Sequence, residues 1–310
     1  MAALPFSLTP ALIQHLIRYV PVKPLKTSGP ERIYLAQETP SGRLVVVKLL
    51  QEDPAISAEV YARRRQRLIR SGITLSKLRH PNIVEACEFG APPDGVFVVM
   101  EYLEGGSLDQ KLASFGALEG ADLCSMVSEL ASGLDFAHRA GVVHCDIRPG
   151  QIVFDAAGRS RLMGFASARS PGATSIGGGV SLPASLVFAA PEQLQGNIEA
   201  ATDQFCLAAV VYRALTGRRP FRATEVVPLI RQILTEAPEP PTRARPGLPK
   251  AVDKVLEKAL ARNPDDRFPD CSQFADAFGD ACGLGSARRL WARVNPGVIR
   301  RWMRSGRDGR

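Results

Sequence analysis

The pattern of apolar residues changes once along the chain, from short Val-, Ile- and Tyr-rich runs bounded by turns to a spacing of about 3.6, and this switch constrains the fold most. Residues 31–50 and 81–102 are rich in Val, Ile and Tyr and carry turn signals at Ser41-Gly42 and Pro93-Asp94-Gly95, so they read as short strands. From about residue 106 the spacing is helical, with Leu123, Met126, Val127, Leu130, Leu134 and Ala137 on one helix face. Residues 203–216 are apolar on nearly all sides, the mark of a buried helix; Val252, Val255, Leu256 and Ala259 form an amphipathic one. Strands first and helices afterwards predict an α+β chain, with a small β-rich lobe and a larger α-helical lobe. A chain of 310 residues, 45% hydrophobic, can bury cores of that size.

Charge is unevenly placed. Arg288 to Arg310 holds eight arginines and Asp308, with no Lys or Glu, so +7 of the net +8 lies there. The rest is near neutral, which argues for a basic tail and against a nucleic-acid-binding domain. The cysteines at 87, 124, 145, 206, 271 and 282 show no metal-ligand or redox spacing, which suits a reduced, cytoplasmic setting. The apolar stretch Ala11 to Val20 is interrupted by Gln14, His15 and Arg18 and does not read as a signal peptide. No run approaches the roughly 18 apolar residues of a membrane span.

Six short motifs follow in a fixed order: Val45-Val46-Val47-Lys48, His80-Pro81-Asn82-Ile83-Val84, Met100-Glu101-Tyr102-Leu103, His144-Cys145-Asp146, Ala190-Pro191-Glu192, and Asp203 with Arg267. In that order and spacing the chain resembles the eukaryotic-type (Hanks-type) Ser/Thr protein kinases, most closely bacterial members, over residues 21–282. The resemblance implies a bilobal kinase-like fold. Residues 1–20 are then an N-terminal extension, 21–103 the N-lobe, 104–282 the C-lobe and 283–310 a basic tail with Trp291 and Trp302.

Kinase catalysis rests on a lysine at the phosphates, magnesium ions and an Asp near the accepting hydroxyl. By resemblance Lys48, Glu101 and Leu103 are nucleotide-binding, and Asp146 takes the place of the base, with Arg148 and Ser185 beside it. An Asp in that position can equally serve only to hold the loop's shape. The metal positions have changed: Gln151 stands where the family has Asn, and Gly164-Phe165-Ala166 where it has Asp-Phe-Gly. Gly164 offers no ligand atom, and Asp155 reads as a turn residue ahead of Ala156-Ala157-Gly158. Magnesium wants near-octahedral oxygen ligands, usually including a carboxylate, so no metal-ligand set is assigned.

Other positions have drifted too. Ser71 stands where a helix glutamate would pair with Lys48, and Glu59 would need a shifted or longer helix to reach it. The glycine-loop positions hold Lys26, Ser28 and Glu31, with Gly29 nearby; Glu31 would repel a phosphate. Val46 replaces the small residue over the adenine, and Cys145 the Arg that grips a phosphorylated loop. His144, Phe165 and Asp203 match scaffold positions, and Glu192 with Arg267 a buried ion pair.

The resemblance with these losses implies a pseudokinase, a regulatory or scaffolding module in signalling with weak or no phosphotransfer. ATP is expected to bind weakly and Mg2+ poorly. An active ATP-dependent Ser/Thr kinase with an atypical metal site is the second reading. A membrane-surface adaptor acting through the tail is the third. The implied partner is a protein, and no nucleic acid is expected; Arg288–Arg310 reads either as a solvated end or as a segment that docks on an anionic membrane or acidic protein.

Overall fold

The computed structural model describes residues 9–26, 31–53, 55–118, 120–170 and 186–283. The described chain forms two compact units, each with its own core.

The small unit comprises residues up to Tyr102 together with Gly164–Ala168. Its elements are α1 (Pro10–Leu16), β1 (Tyr19–Lys26), β2 (Glu31–Glu38), β3 (Leu44–Gln51), α2 (Ala58–Lys77), β4 (Ala86–Gly90) and β5 (Gly95–Glu101). The strands make one antiparallel sheet in the order β1-β2-β3-β5-β4. Strand alternation gives it two chemically distinct faces. On one face Ala36, Val45, Val47, Leu49, Phe97 and Val99 join Leu12 and Leu16 of α1 and Tyr19 in a buried cluster. Gly95 admits α1 there, because a Cβ would stand 2.8 Å from Leu12 Cδ1 and 2.9 Å from the Leu50 carbonyl. The small unit therefore begins before residue 21, and a boundary there would cut β1 and strip α1 from the sheet. The opposite face carries Glu31, Ile33, Leu35, Val46, Lys48, Val98 and Met100, in register across three strands.

Helix α2 begins with a Ser57 cap on the Val60 N–H and runs for 20 residues. It buries Leu68, Ser71, Gly72 and Leu75. Gly72 is required by close packing, since a Cβ would stand 2.1 Å from the Phe89 ring of β4.

The large unit comprises Leu103–Met163 and the residues from Arg169 onward. It contains α3 (Leu108–Phe115), α4 (Gly120–Arg139), a hairpin of β6 (Ile152–Phe154) and β7 (Ser160–Leu162), α5 (Pro191–Leu194), α6 (Ala200–Thr216), α7 (Val226–Thr235), α8 (Pro241–Ala244), α9 (Lys250–Ala259) and α10 (Cys271–Ala281). The predicted α4 stripe is buried along its whole length, and α6 is buried on nearly every side. On α9, Val252, Leu256 and Ala259 are buried and Val255 is half-buried. Asp135 of α4 caps α10, accepting from the Cys271 N–H at 3.0 Å and the Ser272 N–H at 2.9 Å. Among the described residues no helix is long and apolar enough to cross a membrane.

Candidate functional site

In the small unit, the strand register sets the surroundings of Lys48. It lies between Ile33 and Val98 on the face opposite the α1 cluster. Glu31 is two residues from Ile33 along β2, hence on the same face and diagonal to Lys48. The two side chains meet: Lys48 Nζ is 2.8 Å from Glu31 Oε2, with about a fifth of each side chain exposed. Burial pushes the Glu31 carboxyl upward, but attraction to Lys48, their hydrogen bond, and the nearby charges of Arg64 and Arg67 outweigh burial and hold it below its ordinary value. The counterion of Lys48 thus comes from a strand. Ser71, in the helix position expected of that partner, is buried. Glu59 does fall within α2, but in its first turn, exposed and 3.6 Å from Arg63. Glu31 is thus engaged by the lysine.

Gly164 precedes a 3-10 turn, Phe165–Ser167, and has a φ of 92°, a conformation natural to glycine. Phe165 is wholly buried, so the scaffold half of this motif is kept while the ligand half is gone. The Ser167 hydroxyl accepts a hydrogen bond from Arg67 Nη2 at 2.7 Å. Glu101 ends β5, and its Oε1 accepts from the Glu85 N–H at 2.8 Å. Lys26 is exposed at the end of β1. Ser28 and Gly29 lie outside the described residues.

In the large unit, Asp203 organises the loop that carries Asp146. Its Oδ2 accepts from the His144 N–H at 2.7 Å and lies 2.8 Å from His138 Nε2; its Oδ1 accepts from the Cys145 N–H at 2.9 Å. Asp203 is fully buried, which raises its pKa, but the hydrogen bond and charge of His138 and the contact with His144 reverse this and keep it low. In the same loop Cys145 takes a φ of 64°, uncommon for a non-glycine residue. The Cys145 carbonyl also accepts from Gln193 Nε2 at 2.7 Å. Burial and the charge of Asp203 push the Cys145 thiol well up, which disfavours the thiolate.

Asp146 projects from this loop with both carboxylate oxygens engaged. Arg148 Nε donates to Oδ1 at 3.2 Å, and Gln151 Nε2 donates to Oδ2 at 3.4 Å. The structure therefore brings Asp146, Arg148 and Gln151 together, and Gln151 turns its amide to the base position. Asp155 is committed to its turn: Oδ1 accepts from the Ala157 and Arg159 N–H groups at 2.9 and 3.0 Å, and Oδ2 meets Arg159 Nε at 2.8 Å. Leu103 begins the large unit, and Ser185 lies outside the described residues.

The frame below this loop is intact. Arg267 grips Glu192 through two 2.8 Å bonds in a fully buried pair, and also donates to the carbonyls of Ala201, Ala261 and Arg262. Sequence reasoning missed Arg64, Arg67 and Ser167. The two arginines are three apart in the run Arg63-Arg64-Arg65-Gln66-Arg67, a spacing that puts them on one helix face.

Comparison with known proteins agrees with this frame. Residues 30–277 match the family model described as "Protein kinase domain". The chain is 33% identical over 262 residues to the serine/threonine-protein kinase PknD of Mycobacterium tuberculosis, covering 83% of this chain and 38% of that protein. It is 30% identical over 253 residues to the serine/threonine-protein kinase PrkC of Bacillus subtilis, covering 81% and 38%. A probable serine/threonine-protein kinase PknB of Bifidobacterium longum is 30% identical over 258 residues, covering 79% and 37%. The chain thus spans less than two-fifths of the length of these relatives. With its motifs in order, its Glu192–Arg267 pair formed and most of its length matched, this chain belongs to the Hanks-type Ser/Thr protein kinase family.

Proposed function

We propose that this is a kinase-fold binding module with little or no phosphotransfer, a pseudokinase. The observation that carries the reading is the fate of the catalytic carboxylates. Gly164 supplies no side-chain oxygen where the family places a metal-binding Asp, and Asp146 has one oxygen bonded to Arg148 and the other to Gln151. Losing one preorganised stabilising group typically costs about 10²–10³ in rate. Here the metal charge itself loses its carboxylate. Lys48, Asp146 and the Glu192–Arg267 pair are kept, and each makes contacts that serve the fold. With Gln151 and Gly164 as the metal positions, the residues present fit a magnesium ion poorly.

ATP is then a weak ligand whose affinity depends little on divalent metal. The working partner is a protein, and the arginine-rich stretch Arg288–Arg310 adds an affinity for anionic surfaces, whether an acidic protein or a membrane. The setting proposed is cytoplasmic signalling. Autophosphorylation and transfer to a basic substrate test the reading, in the wild type and in Asp146→Asn and Lys48→Met. The expected signal is at background in all three. A robust wild-type signal lost in both variants would instead establish an active kinase with an unusual metal site.

A further inference from the structure

Within the small unit, Lys48 bonds the Glu31 carboxylate at 2.8 Å, and Arg64 and Arg67 of α2 add positive charge to its field. Counting these four side chains alone, three positive charges face one negative, a surplus of +2. Arg67 also holds the Ser167 hydroxyl, which ties this charge to the turn that follows Gly164. A polyphosphate needs several cations and hydrogen-bond donors close together. The cluster has the cations, and about a fifth of the Lys48 and Glu31 side chains is open to solvent. In one respect it is already filled, because the Glu31 carboxylate takes the place on Lys48 that a phosphate oxygen would take.

We propose that Glu31 is a built-in competitor for a phosphate-bearing ligand. A nucleoside polyphosphate, free of divalent metal, displaces its carboxylate from Lys48 and takes its countercharge from Lys48, Arg64 and Arg67. This deepens the reading above and rests on it, since it assigns to protein cations the neutralising charge that a metal would otherwise bring. It also gives a reason for weak binding besides the altered glycine loop: the ligand must break an existing ion pair before it makes its own.

Calorimetric titration of the full chain in the presence of a chelator tests it, with ATP, inorganic tripolyphosphate and adenosine as probes. Glu31→Gln keeps the side chain's size and its ability to bond Lys48 while removing the charge. Glu31→Gly removes the side chain altogether and serves as a second, independent variant. Both are expected to bind ATP at least tenfold more tightly than the wild type, with adenosine unchanged. The gain should vanish when Lys48→Met is added and shrink when Arg64→Gln and Arg67→Gln are added. A matching gain for tripolyphosphate identifies the phosphate chain as the part recognised; a gain for ATP alone identifies the whole nucleotide, and either supports the proposal. Unchanged or weaker ATP binding in both variants overturns it and leaves Glu31 as a residue that merely holds Lys48 in place. Tight wild-type binding that appears only with Mg2+ would refute the underlying reading of a lost metal site, whatever the variants do.

Discussion

Lys48 shows how a retained residue can change partners. The lysine and its strand were legible in the motif Val45-Val46-Val47-Lys48, but its counterion was not, because the helix position expected to supply it holds Ser71. The signal was nonetheless present: Glu31 and Ile33 share a strand face, and Ile33 pairs with Lys48. Reading Glu31 only as a misplaced glycine hid this diagonal. Because the Glu31 carboxyl titrates below its ordinary value, the pair stabilises the fold above the unfolded pKa, about 4.3, and that stability is lost as pH falls through the lower folded value. Glu31→Gln should therefore cost about 1–2 kcal/mol at neutral pH, between exposed and buried pairs, and the gap to the wild type should close in acid. Denaturant melts at pH 7 and pH 3 check this, and a gap that widens in acid would contradict it. Arg267 lies at the other extreme. Its pair with Glu192 is buried, so Arg267→Met should cost about 3–5 kcal/mol by stranding a carboxylate. The double variant Arg267→Met, Glu192→Leu should recover a good part of that loss, which the same melts would show.

At the scale of elements, legibility followed chemistry. The α4 stripe sets Leu, Met, Val and Ala at helical spacing and α6 is apolar on nearly all sides, and the structure buries both. Two other elements carried no such signal. Strand β1 contains Pro21 and Pro24 with register shifts beside each, which suits an edge strand but disguises it in a sequence. Helix α2 is full of arginine and buries Ser71 and Gly72 among its inward residues, so its apolar stripe is thin. Helix α1, read from the sequence as an extension, contributes Leu12 and Leu16 to the cluster under the sheet. Leu12→Ala should cost about 2–5 kcal/mol, as large-to-small changes at fully buried sites do. A chain started at residue 21 should melt well below the full chain; equal melting temperatures would show α1 to be an appendage.

For the whole molecule, the order of motifs identified the family, and the changed residues within them carried the functional argument. The tail lies outside the described residues; its composition sets eight arginines against Asp308 between Arg288 and Arg310. A chain ending at Cys282 should melt with the full chain but bind anionic vesicles less. The full chain's binding should weaken with salt, because such attraction is screened within about 8 Å at physiological ionic strength. Equal vesicle binding by both chains would remove the tail from the account. The central claim is that the metal-dependent half of the kinase site is gone while the fold stays intact. Calorimetric titration of the full chain with ATP, in Mg2+, in Mn2+ and with both removed by chelator, tests it most directly. The account predicts weak binding with nearly the same Kd in all three conditions; micromolar binding that disappears when the metal is chelated would contradict it.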